Sequence, residues 1–190
     1  SQINSIVSEP YGSVWVDDTT SVGRIFSSRL SYSKGAYLLH MLRWKLGDED
    51  FFQATRNYLD DPDLAFSYAR TIDLKAHLES QSGQDLTEYF EGWFYGQGYP
   101  SYDVEWYFSN NSLNLQIEQS TSHSSVDFFE MPLPIYVTGQ GQDSIIRLDH
   151  NFSGQSFEID LPFVVEQVQF DPFLWILSAN NSVQEVTVNH

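Results

Sequence analysis

The chain has no cysteine, so its chemistry would come from histidines, serines, carboxylates or tyrosines. Disulfides, thiolate metal sites and a cysteine nucleophile are excluded. The histidines are His40, His77, His123, His150 and His190. No two of them stand at the three-to-five-residue spacing that places two imidazoles on one helix face, and no His-Glu-x-x-His occurs. His77 has Asp73 one helical turn before it, which is a common pair and not a ligand set. His40 reads as a packed, hydrogen-bonded side chain. A serine nucleophile would need a Gly-x-Ser-x-Gly elbow, which is absent. Runs such as STSHSSV at 120–126 read as loop. Gly139-Gln-Gly141 falls between strand patterns and reads as a turn, not as a phosphate loop. With 26 acidic residues, too many carboxylate pairs exist for glycosidase geometry to be selected. Asn110, Asn151 and Asn180 open Asn-x-Ser triplets, each where a turn is expected.

Tyr32 remains, in the stretch LSYSKGAYLLHMLRWKLGDEDFF at 30–52. A phenol is a neutral hydrogen-bond donor at pH 7. At the mouth of a helix it lies where anionic charge is favoured. There it can stabilise an oxyanion forming on a carbonyl under attack. On local context alone the same tyrosine reads as a half-buried packing residue.

The elements that would position it fall into two groups. Up to about residue 100 the apolar period is helical. Leu38, Leu39, Leu42 and Leu46 predict a helix over 35–46 that stops at Gly47. Asp48 is expected to cap a second helix, with Phe51, Phe52, Thr55, Tyr58 and Leu59 on one face. DDPD at 60–63 is a turn. Thr71 is expected to cap a third helix, with Ile72, Leu74 and Leu78 inward, ending near Ser82-Gly83. Asp85 and Glu88 have capping-box spacing ahead of a fourth, whose buried face is Leu86, Tyr89, Phe90, Trp93 and Phe94. After Pro100 the period becomes two. Tyr102, Val104, Trp106 and Phe108 face one way, and Asn110-Asn111 turns the chain into Leu113, Leu115 and Ile117. Further strands are predicted at 129–138, 144–149, 155–161, 164–170, 174–178 and 183–189. Pro132 and Pro134 assign the first of these to a sheet edge or a bulge. The fold class is therefore α+β in two units: a helical unit over 1–99 and an antiparallel β-sandwich, immunoglobulin- or fibronectin-like, over 100–190.

The formal charge is −17, with 9 basic residues. Phosphates would be repelled, so neither nucleic acid nor an anionic membrane is an expected partner. No apolar run approaches the roughly 20 residues that span a bilayer. No signal-peptide pattern follows Ser1.

YSKGAYLLHMLRWKLGDEDFFQATRNYL (32–59) resembles the segment that follows the zinc site in the aminopeptidase N family of zinc metallopeptidases. SGQDLTEYFEGWFYGQGYPSYDVEW (82–106) is similar to the run that closes that family's catalytic domain and enters a β-sandwich. VQFDPFLWIL (168–177) resembles a late sandwich strand. The resemblance implies the helical end of a thermolysin-like catalytic lobe followed by the sandwich. It implies that Tyr32 donates a hydrogen bond to the tetrahedral intermediate. Lys34 and Gly35 match motif positions with structural roles at the helix start and at a close helix contact. Trp93, Gly98 and Pro100 match packing and junction positions. Ser33 stands where relatives often carry an acidic or polar residue.

The family's zinc ligands, its general-base glutamate and its Gly-x-Met-Glu-Asn loop precede the tyrosine, and none occurs in residues 1–31. The resemblance therefore implies the C-terminal part of a longer aminopeptidase. In that parent, zinc polarises the scissile carbonyl and activates water. The parent's substrate is a peptide, and this part's partner is the rest of the catalytic domain. The chain alone is expected to bind no zinc and to be inactive. A glycyl aminopeptidase branch shares the first helix but fits the later elements less well. The alternative of another class is a non-catalytic binding or structural module, or a pseudopeptidase. The acidic, Ser-, Asn- and Gln-rich sandwich is similar to exported relatives, so a periplasmic or cell-surface location is expected.

Overall fold

The computed structural model describes residues 2–187. Two short helices, α1 (Gln2–Ile6) and α2 (Val22–Ile25), precede a π-helical turn, Ser28–Lys34, that runs unbroken into α3 (Gly35–Leu46). α4 (Asp48–Asp60) and α5 (Thr71–Ser82) follow, then α6 (Thr87–Tyr89), which widens into a second π turn at Phe90–Tyr95. From Pro100 the regular elements are strands: β1 (Pro100–Ser109), β2 (Ser112–Thr121), β3 (Met131–Gly139), β4 (Gln142–His150), β5 (Gln155–Asp160), β6 (Gln167–Phe170) and β7 (Ser182–Glu185). Among the described residues no helix is long and apolar enough to cross a membrane.

The strands form a four-stranded sheet, β5-β2-β1-β7, and a three-stranded sheet, β4-β3-β6. All neighbours are antiparallel except β1 and β7, which run parallel from Asp103↔Ser182 to Trp106↔Glu185. Two hairpins are closed by residues with positive φ, Asn110-Asn111 and Gln140-Gly141. That backbone matches the twist of paired strands, and Asn and Gly tolerate it. Tyr102, Val104 and Trp106 from β1 pack with Leu113, Leu115 and Ile117 from β2, and with Met131, Leu133, Ile135 and Val137 from β3.

Pro132 and Pro134 do not make β3 an edge strand, because β3 is the centre of its sheet. β6 pairs only with Ile135–Thr138, so both prolines lie beyond its end. Their carbonyls are used there without any ladder donor: Pro132 accepts from Trp44 Nε1 at 2.7 Å and Pro134 from the Asp171 amide at 2.9 Å. The expected strand at 174–178 is instead an irregular segment. It bends because the Asp171 carboxylate accepts the Trp175 and Ile176 amides, each at 2.7 Å, with Asp171 and Leu174 both at positive φ. The strand expected at 164–170 is confined to β6, and the part of 183–189 beyond residue 187 lies outside the described residues.

The helix caps also differ. Asp48 is inside α4 and its carboxylate is held bidentately by Arg43 at 2.7 Å, while Gly47 occupies the cap. At α5 the cap is Arg70, whose amide donates to Asp73 at 2.7 Å, and Thr71 is the first helical residue. Asp85 accepts from the Thr87 amide and Glu79 from the Leu86 amide, while Leu86 itself stands at the cap of α6, which has no side-chain cap. On α4 only Ala54 is buried; Phe52 and Leu59 are exposed, as are Leu39 on α3 and Ile72 on α5.

Helices and sheets share one buried cluster. Trp93 packs against Phe129, ring centroids 4.5 Å apart, and its indole nitrogen donates to the Glu130 carbonyl at 3.3 Å. Tyr89 donates to the Leu38 carbonyl at 2.7 Å. Arg147 donates to the carbonyls of Trp44 and Lys45, which end α3, both at 2.7 Å. That satisfies terminal carbonyls with a cation where the helix dipole favours one.

Candidate active-site tyrosine and its cleft

Tyr32 is not at the mouth of a helix. Helical structure begins at Ser27, whose hydroxyl accepts the Leu30 amide at 3.2 Å. The Tyr32 amide reaches back to the Ser27 carbonyl at 3.2 Å, a five-residue span that defines the wide turn. No free helix N-terminus therefore lies under the tyrosine, and no helix dipole end favours anionic charge at its position. The wide turn leaves Tyr32 58% exposed while Lys34, two residues on, is 1% exposed. Helical positions two apart point to opposite sides, so one face of the turn is anchored and the other is presented.

The presented face opens on an apolar cleft of about 530 Å3, lined among others by Tyr32, Leu39, Leu42, Tyr58, Leu74 and Phe90. α3, α5 and the segment from α6 into the second π turn supply its walls. Beside the apolar side chains the cleft wall also carries the donors Ser31, Tyr58, Arg70 and Thr71. A donor on a low-dielectric wall is worth more to a developing oxyanion than one in water.

Lys34 enters the opposite side. Its ammonium donates to the carbonyls of Gly98 at 3.2 Å and Gly96 at 3.4 Å. Burial pushes it down to about 8, and the positive charge of Arg29 adds to that. Arg29, on the same turn, binds the carbonyls of Tyr11 at 2.8 Å and Glu9 at 3.2 Å. The sequence reading missed Arg29. Its signal was available: a cation beside the motif in a chain with only 9 basic residues.

The other motif residues occupy different surroundings. A Cβ on Gly35 would meet Val14 at 3.5 Å, an ordinary contact, so no close helix approach requires glycine there. Gly98 does need to be glycine: its φ is +85° and a Cβ would stand 2.7 Å from Ser122 Oγ. Pro100 opens β1, where a strand lacks no donor by having proline first. Trp93 is fully buried.

Among the described residues, no three His, Asp or Glu side chains are arranged to hold a metal ion. His40 stacks on Trp175, and His77 pairs with Asp61 at 2.9 Å. His150 is enclosed between the sheets, on the Ile117 carbonyl at 3.2 Å. These residues do not fit a zinc site.

Residues 4–93 match the family described as the Peptidase family M1 domain. The chain is 28% identical over 146 residues to the Tricorn protease-interacting factor F2 of Thermoplasma volcanium, covering 76% of this chain and 18% of that protein. It is 32% identical over 142 residues to Aminopeptidase M1-D of Oryza sativa subsp. japonica, covering 74% and 16%. It is 27% identical over 167 residues to the Leucyl aminopeptidase of Saccharolobus solfataricus, covering 88% and 21%. The chain thus spans about a fifth of the length of these relatives. A crystal structure of Legionella pneumophila aminopeptidase A, in complex with aspartic acid, superposes with a TM-score of 0.69 at 16% identity. That match covers 93% of this chain and 20% of the other and concerns the fold.

Proposed function

Because the chain belongs to peptidase family M1, we propose that it is the C-terminal part of a zinc aminopeptidase and supplies an oxyanion donor, Tyr32, to the active site. One observation supports this above the others. Tyr32 stands exposed on the wall of an apolar cleft, on a wide turn whose opposite face is anchored by buried Lys34.

In this reading the phenol hydroxyl donates to the oxygen of the scissile carbonyl as that oxygen gains charge. The bond strengthens in the transition state, so it lowers the barrier more than it tightens substrate binding. Zinc, when bound, supplies Lewis-acid polarisation and a nucleophilic water. Its ligands and the general base belong to the rest of the catalytic domain. That remainder is also the partner for the uncovered helical face around Leu39, Phe52, Leu59 and Ile72. The sandwich, beginning at Pro100, forms a second unit that fixes the far end of the helical lobe.

The test is Tyr32→Phe in the full-length enzyme, assayed with an aminoacyl anilide. Loss of one oxyanion donor is expected to lower kcat by about 10²–10³, with KM nearly unchanged. Turnover close to that of the wild type overturns the role of Tyr32.

A further inference from the structure

Lys34 is 1% exposed, and among the described residues its ammonium forms hydrogen bonds to two backbone carbonyls, Gly96 and Gly98, and no ion pair. Burying an ammonium without a counter-charge is unfavourable, and packing alone would be served better by Met or Leu. Unlike Met or Leu, the lysine holds two backbone carbonyls there.

Its acceptors are fixed in place. A Cβ on Gly96 would lie 2.2 Å from the Gly92 carbonyl oxygen and 2.4 Å from Val126. The Tyr99 amide is held by Ser122 Oγ at 2.9 Å and the Gln97 amide by Ser125 Oγ at 3.0 Å. The Gln97 side chain accepts the Gly12 amide at 2.7 Å. The segment from Gly96 to Tyr99 is therefore a rigid shelf. Lys34 joins the end of the wide turn to that shelf, across more than sixty residues of sequence. Fixing the turn's inner face fixes its rotation, and with it the direction of the tyrosine on its outer face.

We propose that Lys34 is a positioning residue for the reaction: by clasping the Gly96 and Gly98 carbonyls it sets the aim of the Tyr32 hydroxyl. This rests on the reading of Tyr32 as oxyanion donor. Lys34 does not touch substrate. It acts through the two-residue link to the tyrosine, so its contribution exists only while the tyrosine has a hydroxyl to aim.

The experiment is a double-mutant cycle in the full-length enzyme, with Lys34→Met, Tyr32→Phe and the double variant assayed on an aminoacyl anilide. Lys34→Met is expected to lower kcat about tenfold or more with KM within about twofold, and to cost nothing further in the Tyr32→Phe background. Losses that multiply overturn the proposal, as does normal turnover of Lys34→Met beside a slow Tyr32→Phe. Normal turnover of Tyr32→Phe overturns the donor reading, and this inference with it. Should Lys34→Met fail to fold, Lys34→Gln retains one donor to the shelf and takes its place. A smaller loss of kcat that again vanishes without the phenol supports the proposal, and an additive loss overturns it.

Discussion

Trp175 lies flat on His40, ring centroids 4.6 Å apart and planes 6° from parallel. Trp44 stacks on the same indole at 5.4 Å, and the Arg43 guanidinium sits 5.7 Å from it. His40, Arg43 and Trp44 are successive outward positions of α3, so one residue after β6 meets a whole helix face. The same segment supplies the Leu174 carbonyl, which accepts from the Tyr37 hydroxyl and from His40 Nε2. The irregular path at 171–177 is thus what carries the indole to the helix. A straight strand would have kept it on the sheet.

Trp175→Ala should accordingly loosen the union of helices and sheets. A half-buried indole with two stacking partners is worth about 2–3 kcal/mol. Urea unfolding of the chain should show a midpoint shift of that size. A change below about 0.5 kcal/mol would mean that the stack is surface decoration.

Asp171 makes that path possible and gives it a pH dependence. Burial pushes its carboxyl up to about 7 from an ordinary 3.8, against the lowering effect of the Ile176 and Trp175 amides. The folded form therefore holds a proton between about 4 and 7 that the unfolded form has released. Stability from this group is present at low pH and is lost as pH rises through that window. In Asp171→Asn the side chain does not titrate. The stability of wild type minus that of the variant should fall by a few kcal/mol, to order of magnitude, from pH 4 to 7. A difference that is flat with pH would show that the carboxylate is fully compensated by its two amides.

What the sequence revealed and what it hid divide along physical lines. α3 and its stop at Gly47, the β1–β2 hairpin at Asn110-Asn111 and the buried face of Leu86, Tyr89, Phe90 and Trp93 were legible, because each follows from local period or turn chemistry. Phe52 and Leu59 share a period with half-buried Phe51, Thr55 and Tyr58 yet are exposed, because a period shows which side is apolar and not what covers it. Pro132 and Pro134 misled because the missing donor matters only where a neighbour strand is present. Tyr32 stood out through its resemblance to a family motif and not through its local context. The partners of Lys34 could not be read at all. They are backbone oxygens of Gly96 and Gly98, and a carbonyl carries no residue-type signal.

The shelf under Lys34 makes two glycines unequal in a measurable way. A Cβ on Gly96 would collide with backbone at 2.2 Å. At Gly141, φ is +74° but nothing lies within 4 Å. Gly141→Ala should cost about 1 kcal/mol, the strain of a left-handed alanine. Gly96→Ala should cost about 3 kcal/mol or more, since backbone must move. Equal midpoints for the two variants in denaturant unfolding would contradict the close approach at Gly96.

Lys34 should also leave a signature in the alkaline range. Its ammonium is held down to about 8 by burial and then by Arg29, against an ordinary 10.5. Between those values the unfolded chain keeps a proton that the folded chain has released. Stability therefore rises with pH across this window, because the cost of a buried charge is relieved as Lys34 becomes neutral. Lys34→Met has no such charge at any pH. The stability of wild type relative to Lys34→Met should climb between pH 8 and 10.5, by up to about 3 kcal/mol. Below pH 8 the difference should be level. Paired denaturant titrations at pH 7, 9 and 10.5 test this, because the other titrating groups are common to both proteins and cancel. A difference that stays constant through pH 10.5 would place the ammonium in contact with water. The clasp on Gly96 and Gly98 would then be too loose to hold the turn that carries Tyr32.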